Sequence, residues 1–182
     1  MNLGIIKSSI VTISCILLMT GCSSNSLEES SLTAKELDQT IELTVPVSKV
    51  TLSIPKLNLV KQDTSSSQSY RYFNYWDTNA QLGISGWFEH ESRFKGVQSH
   101  WSEFLSTWKG NQPTNVSFEK LNDWNIVSYN IDVQGCSQSN VKAYLVQSET
   151  WLDIHVSSFC NGDIPKADIL NYIKNITVVN KV

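Results

Sequence analysis

Little in this sequence announces a chemistry. There is no G-x-S-x-G nucleophile elbow, since Gly83-Ile84-Ser85-Gly86 has the residue types but the wrong spacing. There is no glycine-rich phosphate loop and no H-E-x-x-H zinc helix. No tract of lysine and arginine is present, which argues against nucleic acid as a partner. No apolar run reaches the roughly 20 residues needed to span a bilayer as a helix. Charged residues make up only 17% of the chain and the net charge is −3. With 41% hydrophobic residues and six tryptophans, that scarcity reads as a folded domain with a core, not as disorder. No cofactor and no metal is expected from these patterns.

What is present starts at the N-terminus. Residues 1–21 read as a secretory leader, with Lys7 as its one charge, a short apolar stretch over 10–18, and small Thr20 and Gly21 beside a cleavage point. Leu18-Met19-Thr20-Gly21-Cys22 resembles the lipobox of bacterial lipoproteins, with Met19 where that family usually has leucine. The resemblance implies cleavage before Cys22, lipidation of its thiol, and a mature protein held in the cell envelope by diacylglycerol and palmitate. In a Gram-negative cell, Ser23 after the cysteine implies the outer membrane, facing the periplasm. In a Gram-positive cell the same anchor implies the outer face of the single membrane. The expected membrane contact is through this N-terminal lipid, and more than one acyl chain is needed because a single chain binds only marginally. The plainer alternative is an ordinary secretory leader with a chance cysteine.

The remaining cysteines divide by position. Cys15 leaves with the leader, so Cys136 and Cys160 are left in an oxidising compartment, where a pair is expected to join. Neither sits in a C-x2-4-C pair of the kind that holds zinc. The loop they close is about 24 residues, worth roughly 3 kcal/mol by the chain-entropy argument. Residues 22–39 are Ser-rich at first and read as a flexible tether, with at most a helical turn over 33–39, and 40–182 as a single domain.

Within that domain, period-two alternation marks strands at 41–45 and 47–54, bounded by Pro46 and Pro55. Two further strands, over 70–76 and 80–88, flank a turn at Asp77-Thr78-Asn79. The first is strongly aromatic on both faces, which predicts a central strand covered on both sides; an aromatic carbohydrate platform is the alternative. Val97, Trp101, Phe104, Leu105 and Trp108 form one stripe of a helix over 97–108, ended by Lys109-Gly110 and Pro113. A hairpin over Asn122-Asp123 joins 115–121 to 124–133, and a second pair spans 141–147 and 151–159. If the last three strands form a meander, Cys136 and Cys160 lie at the same end. A final helix begins near Asp163 and Pro165, followed by a β-like run over 176–179.

This order predicts an α+β fold: an antiparallel sheet with helices packed on its faces. Over about residues 45–179, in element order and in Leu52-x-Ile54-Pro55, the chain is similar to the PsbP-like family. That likeness implies a sheet sandwiched by helices and a mostly non-catalytic role.

The candidate functional surface joins two strands. Trp151, Asp153 and His155 alternate onto one face, opposite Leu152, Ile154 and Val156, while Trp87 and Glu89 close another apolar run. An Asp–His pair can orient an imidazole for acid–base work, and the blander reading is a packed histidine hydrogen-bonded to Asp153. Three functions compete: a non-catalytic binding or accessory module with a partner in the envelope, an immunity or inhibitor protein blocking a secreted toxin or hydrolase, and an envelope enzyme built around Asp153 and His155.

Overall fold

The computed structural model describes residues 32–45, 48–63, 71–159 and 166–181. The leader, Cys22, Cys160 and the Asp163-to-Pro165 start expected for the last helix lie outside these residues.

Among the described residues, strands dominate. They are β1 (Thr33–Glu36), β2 (Thr40–Thr44), β3 (Val50–Pro55), β4 (Val60–Lys61), β5 (Tyr72–Asp77), β6 (Leu82–His90), β7 (Thr114–Leu121), β8 (Trp124–Val133), β9 (Cys136–Gln147), β10 (Thr150–Ser158) and β11 (Thr177–Asn180). The helices are α1 (Val97–Thr107), α2 (Lys166–Lys174) and a short 3-10 turn at Glu91–Arg93. The strands make two antiparallel sheets, ordered β1-β2-β3-β11 and β4-β5-β6-β10-β9-β8-β7. After β6, α1 carries the chain toward β7 at the far edge. A meander then returns through β8 and β9 to β10, which closes against β6.

The expected α+β sheet with helices packed on its faces is overturned. The molecule is mostly β, and the inner face of the seven-stranded sheet is met by a second sheet. Ile41 and Leu43 on β2, and Val50, Leu52 and Ile54 on β3, are fully buried, while their alternates are not. They share one core with Phe73, Ile84 and Phe88 of β5 and β6 and with Val141, Leu152 and Ile154 of β9 and β10. Ile169, Tyr172 and Ile173 of α2 join that core. Period-two alternation reveals a strand with one buried face, but the same signal arises whether a helix or another sheet covers it.

Inside the stretch read as tether, Thr33–Glu36 is a strand and not a helical turn. It pairs with β2, Thr33 opposite Thr44, and Leu32 before it reaches the core. The hairpin over Asn122-Asp123 forms as expected. Two other two-residue turns, Gln134-Gly135 and Ser148-Glu149, have both central φ angles positive, the combination that matches the right-handed twist of paired strands. Thus β9 starts at Cys136 itself, earlier than the expected residue 141, and Cys136 stands on the strand next to β10.

The α1 stripe forms as expected. Gly96 precedes the helix at φ 92° and ψ 154°, a conformation that L side chains rarely adopt. Trp101 is buried, with its ring centroid 4.9 Å from Tyr129 and 5.1 Å from Phe104. With Val127, Tyr144 and Trp151 these rings form a second, smaller cluster on the outer face of the seven-stranded sheet.

Candidate functional site

That outer face carries polar side chains in the middle of a sheet. β6 and β10 are adjacent, and their register sets Trp87 opposite Asp153, Glu89 opposite Trp151 and Ser85 opposite His155. The pairing therefore brings all five residues singled out from the sequence onto one surface. Beneath α1 this surface hollows into cavities of about 530 Å³ and about 430 Å³. Trp87, Phe104, Lys142 and Asp153 line both, which makes them two compartments of one groove. His155 belongs to the first compartment, and Glu89 and Trp151 to the second.

Asp153 does not pair with His155. Its carboxylate accepts from Lys142 Nζ on β9, at 3.3 and 3.4 Å from Oδ1 and Oδ2. The same ammonium lies 5.6 Å from the Phe104 ring centroid and 5.7 Å from that of Tyr144, within range of cation–π attraction. His155 Nε2 is instead 3.1 Å from Asn140 Oδ1 and 3.3 Å from the Tyr129 hydroxyl. Asn140 Nδ2 donates to the Gln138 carbonyl at 3.0 Å, which turns Oδ1 toward the imidazole and makes Nε2 the protonated nitrogen. Burial, then the nearby Lys142 charge, push the His155 pKa down to about 3, so the ring is neutral throughout the physiological range. Burial and Asp153 together raise the Tyr129 and Tyr144 hydroxyls well above the ordinary tyrosine value.

The second compartment is more crowded. Trp151 is only 8% exposed and stacks on His100, centroids 4.3 Å apart at 27°. His100 Nε2 accepts from the Lys95 amide at 3.1 Å, and burial lowers its pKa despite the nearby Asp153 and Glu103. Trp151 Nε1 is buried without a hydrogen-bond acceptor among the described residues. Trp151 therefore belongs to the packing under α1 more than to an open surface. Glu89 forms an ion pair with Arg71 at 3.0 Å.

Sequence reasoning missed Lys142, Asn140, Tyr129 and Phe104 as parts of the groove. A cue was readable: Val141, Ala143 and Leu145 alternate with Asn140, Lys142 and Tyr144, so β9 has one face that is not simple core. On β5, Phe73 and Tyr75 are buried as expected, but the other face is not fully covered. Trp76 is 44% exposed, and Tyr72 lines the groove edge-to-face with Trp87, centroids 5.4 Å apart. Among the described residues, no cluster of three or more His, Cys, Asp or Glu is placed to hold a metal. No described helix is long and apolar enough to cross a membrane.

No family model matches the chain, and no curated protein matches it. A crystal structure from Bacteroides thetaiotaomicron is similar over 74% of this chain at 8% identity and a TM-score of 0.47; the chain spans 46% of that protein's length. So loose a likeness says nothing about what the groove holds.

Proposed function

We propose that this protein is a lipid-anchored component of the bacterial envelope whose domain is a non-catalytic binding module, with its ligand in the groove between α1 and the outer face of the seven-stranded sheet. The observation that carries the reading is the groove lining itself. Aromatic side chains from α1, β5 and β6 flank polar side chains from β6, β9 and β10 in a volume of the size usual for small-molecule sites. The enzyme alternative loses its working pair, because Asp153 is held by Lys142 and His155 is a weak base bonded to Asn140 and Tyr129. The envelope location rests on the lipobox resemblance at Cys22.

The test is thermal-shift titration of the full chain in detergent against classes of small molecule found in the envelope, alongside Trp87→Ala and Phe104→Leu. A groove ligand raises the melting temperature of the wild type by linkage and has a much smaller effect on the variants. A ligand that stabilises all three proteins equally would place the site elsewhere.

A further inference from the structure

We infer that the ligand of the first compartment is a neutral carbohydrate. This deepens the binding-module reading and rests on it. The first argument is charge. The lining holds one cation, Lys142, and one anion, Asp153, already paired with each other. His155 is neutral there. A phosphate, carboxylate or ammonium ligand entering this compartment would lose hydration and meet no uncommitted opposite charge.

The second argument is the hydrogen-bonding inventory. The floor offers acceptors in the Asp153 carboxylate and donors in the Lys142 ammonium, with the Ser85 and Ser157 hydroxyls and the Gln138 amide serving as both. Sugar hydroxyls are also donor and acceptor at once, so a ring carrying several can satisfy such a floor. An acyl chain or sterol would desolvate these groups without satisfying their remaining donors and acceptors, at a cost for each. The site also lies over central strands, whose backbone groups are committed to the ladder, so an extended peptide cannot add to it as a further strand.

The third argument is the walls. Tyr72 and Trp87 come from β5 and β6, and Phe104 and Trp108 from α1 and its C-terminal cap. Trp87 and Trp108 are both partly exposed, while the Trp108 ring is steadied by its Nε1 donating to the Asn111 carbonyl at 2.7 Å. Two partly exposed tryptophan rings beside a polar floor suit a pyranose, which presents C–H groups on its faces and hydroxyls at its rim. The volume of about 530 Å³ exceeds one sugar ring and leaves room for a second.

The experiment uses the full chain in a sugar-free zwitterionic detergent, since glycoside detergents would compete. Tryptophan fluorescence and calorimetry follow titration with neutral oligosaccharides, a uronate oligosaccharide, a tripeptide and a nucleoside. The expected result is saturable binding of at least one neutral oligosaccharide. Trp87→Ala and Trp108→Ala should each weaken it about tenfold or more, near 1.4 kcal/mol. Affinity should change less than about twofold between low and high salt, as for an uncharged ligand. If only the uronate, peptide or nucleoside binds, and does so through Trp87, the assignment to a neutral carbohydrate is overturned while the groove stands. If nothing binds, or binding ignores both tryptophan substitutions, the groove reading falls as well.

Discussion

Lys142 stands directly opposite His155 in the β9–β10 register, yet its ammonium reaches diagonally to Asp153, 3.3 Å from Oδ1. One cation thereby does two things. It neutralises a partly buried carboxylate, and it opposes protonation of the imidazole beside it.

The Lys142–Asp153 pair is measurable by a double-mutant cycle. Lys142→Met leaves Asp153 without its partner and should cost about 1–3 kcal/mol in urea unfolding. Side-chain exposures of 15% and 23% keep the figure below that for a fully enclosed pair. Combined with Asp153→Asn, the coupling should exceed about 0.5 kcal/mol. Strict additivity would show that the pair contributes nothing to folding.

His155 predicts an acid sensitivity with a definite sign. Its folded pKa of about 3 lies below the unfolded value of 6.5, so the unfolded chain takes up the proton first. The stabilisation is fully present above pH 6.5 and fades as pH falls toward 3, with a slope of up to about 1.4 kcal/mol per pH unit. Carboxylates add their own dependence at the acid end, so the informative quantity is the difference from His155→Gln. Stability of the wild type relative to that variant should fall between pH 6.5 and 4. Parallel stability–pH curves for the two proteins would contradict this.

Gly86 is fixed by packing. A Cβ there would overlap the Phe73 ring and come within 3.0 Å of the Asp153 carbonyl oxygen. Gly86→Ala should therefore destabilise the domain by about 1–3 kcal/mol. Shortening the ring in Gly86→Ala/Phe73→Leu should recover part of that loss relative to Phe73→Leu alone, as judged by denaturant midpoints. No interaction between the two changes would dismiss the steric account.

The pairing of Cys136 with Cys160, expected from the sequence, is open to a direct test. β9 begins at Cys136 and pairs with β10 as far as Ser157 opposite Asn140, four residues after Cys136 and three before Cys160. Denatured protein prepared from an oxidising compartment should show no free thiol at either position until reduced, and Cys136→Ser should cost about 2–4 kcal/mol. Two thiols titrating without a reductant would exclude the bond.

Cys22→Ser should abolish palmitate labelling and release the protein from the membrane fraction. Equal labelling of wild type and variant would refute lipidation at this residue.

The sequence alone determined the local choices. Alternation at Ile41-Leu43 and at Leu152-Ile154-Val156 marked strands, because a pleated chain with one buried face can be built only that way. The stripe from Val97 to Trp108 marked α1, and Asn122-Asp123 marked a turn. It also placed Trp151, Asp153 and His155 on one face, since side-chain direction along a strand is a property of the backbone. Tertiary structure decided what covers each face and who meets whom. The residues of β2 and β3 form a separate sheet over the core, a distinction absent from their own alternation. Asp153 meets Lys142 and not His155 because side chains two apart on one strand are less favourably placed than a long lysine reaching diagonally from the next strand. That partner, and with it the neutral His155 and the charge-balanced groove, follows from the β9–β10 register, which is set by long-range pairing and not by any local run of residues.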